Sequence, residues 1–271
     1  MNDNIDAIDK LVQGKDLILN QLRQVVIGQE EAVHQILMAF FAGGHCLLEG
    51  VPGLAKTLMI KAISQVLELQ FSRIQFTPDL MPADIIGTDV LEEDRTTGQR
   101  QMRFIQGPIF TNVLLADEIN RTPPKTQAAL LEAMQEHHVT TGGQVYRLDQ
   151  PFFVLATQNP IEQEGTYPLP EAQLDRFILN PIIDFLSQED EIRMVSDTTG
   201  VPTEEVGVVL DGNEIQTLQE LTRELPASEN VVSYAVRLAA ASRPSLAEVD
   251  EWVRKHVKWG AGSRGSQALI L

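Results

Sequence analysis

Eight consecutive residues decide the fold: Gly50, Val51, Pro52, Gly53, Leu54, Ala55, Lys56 and Thr57. They approximate the phosphate-binding pattern G-x-x-x-x-G-K-[ST], with Ala55 at the position of the last glycine. Small residues in such a loop let backbone N–H groups turn inward around phosphates, and the helix that follows adds the positive end of its dipole. The lysine contacts the β- and γ-phosphates, and the threonine hydroxyl is a ligand of Mg²⁺. We therefore expect residues 50–57, together with Leu58, to line a nucleotide site in which Lys56 is catalytic and Thr57 binds metal.

The sequence on either side of this loop alternates between strand and helix patterns. A short apolar run, 45–49, precedes the loop, and apolar residues at helical spacing, 58–67, follow it. Further apolar runs at 73–76, 113–116 and 152–157 predict strands, with a helix through 128–134. This alternation predicts an α/β fold with a mainly parallel sheet flanked by helices.

Two insertions and a change of pattern complete the predicted organisation. Residues 77–108 are expected to contain a hairpin whose tip is 96–99, and residues 139–148 a second hairpin that turns at Gly142 and Gly143. Beyond Pro181 only helix patterns remain, which predicts a nucleotide-binding domain at 1–186 and a small helical lid domain at 187–271. The last predicted helix runs into apolar residues 268–271 without a polar stop, so we expect the lid to be incomplete at its C-terminus.

Charge and composition favour some classes of protein over others. The chain has 38 acidic and 21 basic residues, a net charge of −17, and no run rich in Lys or Arg. Such a field repels phosphate backbones and anionic lipids, so a nucleic-acid partner is not expected. No apolar run approaches the ~20 residues of a membrane helix, and the N-terminus lacks a secretory pattern, so we expect no membrane insertion and a cytoplasmic protein. With Cys46 as its single cysteine, the chain can form neither an internal disulfide nor a cysteine-cluster metal site.

Polar residues follow two of the other predicted strands. Asp117 and Glu118 end the run 113–116, and Asn159 follows the run 152–157. Carboxylates at strand ends are often solvated turn residues, and an Asn before a proline often caps a turn. Next to a phosphate loop, however, Asp117 would bind Mg²⁺, Glu118 would polarise the attacking water, and Asn159 would contact the γ-phosphate. The crevice at the carboxyl ends of an open parallel sheet is where ligands bind in such folds.

At this point the chain resembles the AAA+ ATPases and, among them, the MoxR family. The resemblance extends over nearly the whole chain, through the loop and the segments 26–29, 75–82, 116–121, 156–160 and 169–177. In this family the loop usually has alanine where Ala55 stands. The resemblance implies an AAA+ core with a helical lid, ATP and Mg²⁺ as cofactors, and a ring-shaped homo-oligomer, expected to be a hexamer.

The resemblance also implies roles that spacing alone does not. Arg176 resembles the arginine finger that reaches the nucleotide of a neighbouring subunit; without the resemblance, an ion pair with Asp175 is the simpler interpretation. Arg264 resembles the sensor 2 arginine that brings the lid onto the phosphates, although an arginine at a helix start commonly faces solvent. Ile27 and Gly28 would line the adenine. In related rings the two inserted hairpins face the central pore and contact client proteins.

The resulting prediction is a MoxR-type ATPase that couples ATP binding and hydrolysis to remodelling or maturation of a client complex. A von Willebrand factor A domain protein often serves as partner in this family. The motor subunit of a metal chelatase is the nearest alternative, because its motifs are almost the same. A DNA-directed ring motor would need a basic pore, which the charge of −17 disfavours. A nucleotide-gated binding module with little hydrolysis is a third alternative, against which the presence of Glu118 and Arg176 argues.

Overall fold

The computed structural model describes residues 13–93, 100–161, 165–199 and 206–271. Its centre is a parallel sheet of four strands: β1 (Cys46–Glu49), β2 (Phe71–Gln75), β5 (Val113–Asp117) and β8 (Phe153–Gln158). Their order is β1-β8-β5-β2, and all three pairings are parallel. The predicted α/β class and parallel sheet are thus confirmed. β8 lies between β1 and β5, which puts Asn159 between the phosphate loop and the acidic pair.

At the β1 edge, the sheet has one more extended segment than the sequence predicted. Parallel bridges join Cys46 to Leu179 and Glu49 to Ile182, so a fifth extended segment runs beside β1. Backbone bonds from Leu47 N to Leu179 O (3.1 Å) and from Glu49 N to Pro181 O (2.9 Å) hold it there. No strand was predicted for this segment, and its last bridge, at Ile182, lies one residue beyond Pro181, where β structure was expected to end. Pro181 accepts a bond through its carbonyl but has no N–H to donate back to β1, which fits two isolated bridges at the edge of the sheet.

The sheet separates two apolar cores. Side chains alternate along a strand, so Cys46 and Leu48 face one layer and Leu47 faces the other. The first layer contains the helix over 13–22 (α1), α2 (Glu30–Phe41) and α3 (Lys56–Val66). The second contains α4 (Pro82–Ile86) and α5 (Pro124–Glu136). Both faces of the sheet are thereby covered, as a parallel sheet requires.

Two hairpins project from this core. The first pairs β3 (Gly87–Glu93) with β4 (Arg100–Gln106); its predicted tip at 96–99 lies outside the described residues. The second pairs β6 (His138–Thr141) with β7 (Gln144–Arg147) and turns at Gly142 and Gly143, both with positive φ, as predicted. The rings of Phe104 and Tyr146 stack at 4.2 Å, which joins the two hairpins.

The remaining helices are α6 (Glu171–Leu174), α7 (Gln188–Thr198), α8 (Gly212–Glu224), α9 (Glu229–Ala241), α10 (Glu251–His256) and α11 (Ser263–Ala268). The chain divides into two compact units, Met1–Leu218 and Gln219–Leu271, a division that differs from the boundary expected at residue 186. The physical reason is that the segment before α8 and the first turn of α8 return to the core: Val209 N donates to Val66 O at 2.8 Å, and Ile215 of α8 is fully buried in the first apolar layer.

The second unit corrects one helix prediction. The residue pattern of 246–257 predicts one continuous helix, and the seven-residue spacing of Trp252 and Trp259 predicts that both lie on one face of a helix in the lid. Instead α10 begins at Glu251 and ends at His256, and Trp259 lies beyond it. Gly260 follows with φ +81, in a position where a Cβ would lie 2.3 Å from the Ser242 carbonyl oxygen. That close approach of two backbone segments determines the turn. Among the described helices, none has both the length and the apolar character needed to cross a bilayer.

Candidate functional site

A pocket of about 440 Å³ opens at the carboxyl ends of the parallel strands. Residues from three loops, two strands and the first turn of α3 line it: Pro52, Gly53, Ala55, Lys56, Thr57, Leu58, Arg73, Gln75, Asp117, Glu118 and Asn159. The structure thus brings together the predicted loop, the acidic pair and the asparagine, which are separated by up to about a hundred positions in the sequence. Gly50, Val51 and Leu54, which were also predicted to line the site, belong to the same loop but are not among the residues that border the pocket.

The loop turns sharply into α3. Ala55 is the N-cap of α3 and adopts a left-handed conformation, φ 56° and ψ 21°. This conformation costs an alanine about 1–2 kcal/mol, whereas glycine adopts it freely, which explains why the general pattern has glycine there. The ammonium of Lys56 donates to the Gly50 carbonyl across the loop. Burial lowers the pKa of Lys56 below its usual value, and the charges of Asp117 and Glu118 oppose that shift.

Asp117 is held from two sides. Its Oδ2 pairs with Arg73 Nη2 of β2 at 2.6 Å, and its Oδ1 accepts a hydrogen bond from Thr157 Oγ1 of β8 at 2.7 Å. The Asp117 side chain is 15% exposed and the Arg73 side chain 46%, so the carboxylate lies at the boundary between core and pocket. Asp117 and the Thr57 hydroxyl are hard oxygen donors of the kind that Mg²⁺ selects.

Glu118 has a strained backbone and a well-held side chain. Its φ and ψ are 57° and 50°, a left-handed conformation between β5 and the 3₁₀ turn Ile119–Arg121. Its backbone N–H donates to Thr157 Oγ1 at 2.8 Å. Its Oε2 accepts a bond from Gln75 Nε2 at 2.7 Å and pairs with Arg121 Nη1 at 3.1 Å. Strained backbone of this kind is concentrated at functional sites, where surrounding contacts maintain it.

Asn159 is 6% exposed and follows β8. Its Oδ1 accepts a bond from the Ile161 N–H at 3.2 Å, which fixes the orientation of the amide and leaves Nδ2 as its donor group. The turn-capping interpretation and the functional one are therefore compatible.

Ile27 and Gly28 do not line this pocket. With Val26, they line a separate cavity of about 360 Å³, together with Asp190 and Arg193 of α7. Gln29 attaches the segment to the core, because its Nε2 donates to Asp184 O at 2.9 Å. An adenine-binding role for Ile27 and Gly28 stays a prediction.

The two predicted arginines lie elsewhere. Arg176 follows α6, and its Nη1 donates to the Leu131 carbonyl of α5; its Nε is buried without a hydrogen-bond partner among the described residues. It lines a cavity of about 520 Å³ with Glu132, Glu136 and His138, none of which borders the loop pocket. Arg264 is the second residue of α11, in the second compact unit.

Sequence reasoning did not identify Thr157, Arg73 or Gln75 as parts of the site. Thr157 is fully buried and contacts both acidic residues, while Arg73, in the middle of β2, contacts Asp117 and Gln75, at the end of β2, contacts Glu118. The register β2–β5 pairs Gln75 with Asp117, which is the relation that puts polar side chains of β2 beside the acidic pair. No local pattern marks these residues, because their partners lie about 40 positions away.

The comparisons agree with this geometry. The family model described as "ATPase family associated with various cellular activities (AAA)" matches residues 45–179, which contain the loop, the acidic pair, Asn159 and Arg176. Chaperone MoxR1 of Mycobacterium tuberculosis is 42% identical over 251 residues, 92% of this chain and 65% of its own length. Protein MoxR of Methylorubrum extorquens is 30% identical over 266 residues, 92% of this chain and 76% of its own length. A crystal structure of a protein from Cytophaga hutchinsonii superposes with a TM-score of 0.84 at 38% identity, covering 98% of this chain and 79% of that one.

A phosphate loop, an acidic strand end and a polar strand end around one parallel sheet define a P-loop ATPase of the AAA+ class. Within that class, the chain belongs to the MoxR family. It spans 65% of the length of the mycobacterial chaperone it matches.

Proposed function

We propose that this chain binds ATP with Mg²⁺ in the loop pocket, hydrolyses it, and uses the cycle to remodel or mature a client protein complex. The observation that carries the proposal is the convergence of Lys56, Thr57, Asp117, Glu118 and Asn159 on one pocket. The donor set suits the cofactors: a loop of backbone amides and one lysine for phosphates, and a hydroxyl and a carboxylate for Mg²⁺.

Each residue has a distinct task in this proposal. Bound Mg²⁺ would neutralise phosphate charge as the β–γ bond breaks. Lys56 would exchange its contact with the Gly50 carbonyl for the phosphates. Glu118, freed from Gln75 and Arg121, would accept the proton of the attacking water, while Asn159 would orient that water or the γ-phosphate from the opposite side. The products are ADP and inorganic phosphate.

The second part of the proposal concerns assembly. Arg176 is outside the loop pocket, which supports a role at the nucleotide of a neighbouring subunit in a ring, expected to be hexameric. Arg264 would complete the site from the lid. By family resemblance, the ring acts on client complexes, with a von Willebrand factor A domain protein as a possible partner class. The mycobacterial relative is named a chaperone, which supports the proposal that the ring acts on client proteins.

The test separates binding from turnover. Glu118→Gln should reduce kcat by ~10²–10⁴-fold while leaving the Kd for ATP near that of the parent, because it removes the general base and no phosphate contact. Lys56→Ala should lose ATP binding itself. Glu68 is exposed and borders none of the three cavities described above, so Glu68→Gln serves as the matched control and should behave as the parent. Turnover by Glu118→Gln at the parent rate would show that Glu118 is not the base.

A further inference from the structure

The side chain of Gln127 joins two segments that the proposed reaction uses separately. Gln127 lies on α5, is fully buried, and borders neither the loop pocket nor the Arg176 cavity. Its Nε2 donates to the carbonyls of Ile119 at 3.2 Å and Thr122 at 3.0 Å. These residues stand at the two ends of the 3₁₀ turn that begins directly after Glu118. One amide therefore fastens both ends of the turn that carries Glu118.

A third acceptor belongs to a different part of the chain. The Tyr167 carbonyl lies 3.0 Å from the same Nε2, so three carbonyls share the two hydrogens of this amide group, and Tyr167 N donates to Asn120 O at 2.6 Å. From Tyr167 the chain runs through Pro170 and α6 to Arg176. The guanidinium of Arg176 returns to the same helix, where it donates to Leu131 O. Leu131 is four residues after Gln127, one turn further along the same face of α5.

We propose that Gln127 is a positioning residue that couples the turn carrying Glu118 to the segment carrying Arg176. The three carbonyls repel one another unless a donor stands between them, and in a buried site no water replaces a donor that is lost. When Glu118 changes partners, Ile119 O and Thr122 O move relative to Nε2, and Tyr167 O has to move with them. ATP bound in the loop pocket of one subunit would thus shift Arg176 of that same subunit. This arginine is the one proposed to reach the nucleotide of the next subunit. This inference rests on the proposed roles of Glu118 and Arg176 in hydrolysis.

The variant Gln127→Met tests the coupling, because methionine keeps the length and volume of the side chain and lacks the donor. Leu130→Val is the matched control: Leu130 is an equally buried neighbour on α5 that packs in the apolar core. Backbone hydrogen exchange is followed with and without a non-hydrolysable ATP analogue and Mg²⁺. All chains carry Arg176→Ala, so that this side chain cannot respond directly to a neighbour's nucleotide. Should Gln127→Met fail to fold, Gln127→Asn, which keeps the amide on a shorter side chain, replaces it.

In the control, the analogue should change exchange in residues 165–177 by at least about fivefold, the lower end of typical coupling between sites. In the Gln127 variant this change should fall below about twofold, while protection of the loop 50–57 shows that the analogue still binds. An equal response at 165–177 in both variants, or no response in the control, would overturn the proposal. This readout needs no hydrolysis, so it stands even if the proposed ATPase activity fails.

A kinetic cycle provides the second readout. Gln127→Met and Arg176→Ala are introduced separately and together, and kcat is measured at saturating ATP. If Gln127 acts through Arg176, the combined loss should be smaller than the product of the single losses by at least about fivefold. A residue that only supports the fold would give losses that multiply, and that result would reject the coupling.

Discussion

Thr157 offers a sharp test of how the acidic pair is held. Its hydroxyl is fully buried, donates to Asp117 Oδ1 at 2.7 Å and accepts from Glu118 N at 2.8 Å. One oxygen on β8 therefore positions the expected Mg²⁺ ligand, at the end of β5, and the expected general base, in the residue that follows β5. Thr157→Val keeps the shape of the side chain and removes only this oxygen.

The two hydrogen bonds that Thr157→Val removes determine the expected loss of stability and activity. A hydrogen bond to a charged group contributes about 1.5–3 kcal/mol, and a buried N–H left without an acceptor costs about 1–3 kcal/mol. Because these terms overlap, we expect a loss of about 2–3 kcal/mol in the free energy of unfolding. Displacement of the catalytic pair by a fraction of an ångström to 1 Å should lower kcat by ~10–100-fold. The Kd for ATP should change little, because Thr157 does not line the pocket.

The assay combines urea unfolding with steady-state ATP hydrolysis and equilibrium nucleotide binding. Thr111→Val is the matched control: Thr111 is 4% exposed, and its hydroxyl donates to Gln70 O at 2.9 Å, away from the acidic pair. It should lose stability without losing kcat. Thr157→Ser keeps the hydroxyl and should retain most of the activity. If Thr157→Val turns over as fast as the Thr111 control, the positioning argument is wrong.

Three further predictions follow from other parts of the chain. Burial lowers the pKa of His45 to about 4, and the ring accepts the Val154 N–H at Nδ1 and bonds Met134 O through Nε2, so the neutral form is the folded one. The unfolded chain protonates His45 below pH 6.5, whereas the folded chain does so only near pH 4, so the free energy of unfolding should fall by roughly 3 kcal/mol as the pH drops from 6.5 to 4. In urea titrations at several pH values, His45→Gln should lack this fall. An unchanged pH dependence in the variant would exclude His45 as its source. Mixing Glu118→Gln chains with Arg176→Ala chains should restore ATPase activity in verified mixed rings. Some interfaces then combine an intact Glu118 from one subunit with an intact Arg176 from the next, and an arginine finger contributes ~10³–10⁵-fold to the rate. Inactivity at every mixing ratio would reject a site shared between subunits. Double-stranded DNA should neither bind at physiological salt nor stimulate hydrolysis, and sub-micromolar binding with a steep salt dependence in fluorescence anisotropy would favour the DNA-directed alternative.

Several features were predictable because their causes are local. The loop 50–57 needs small residues, one cation and one hydroxyl within eight positions, and these are visible in the sequence. The strands ending at Asp117 and Gln158 are continuous apolar runs, as expected for a sheet buried on both faces. The Gly142–Gly143 turn has its own residue signature.

Other features depended on partners that no local pattern reveals. The edge segment beside β1 contains a proline and is short, so its pairing with Cys46 and Glu49 had no signal of its own. The division into compact units at Leu218 reflects the return of Val209 and Ile215 to the core, which depends on the final position of α3. Trp259 left the predicted helix because the backbone at Gly260 packs against Ser242.

The sequence by itself determined the class of fold, the phosphate loop and the residue types at the ends of the strands. Tertiary structure alone decided which side chains hold them: Arg73 and Thr157 on Asp117, and Gln75 on Glu118. Periodicity and turn chemistry act over a few residues, so they can be read along the chain. A hydrogen bond between β2 and β5, or between β8 and β5, exists only once the register of parallel strands has put residues 40 or more positions apart side by side.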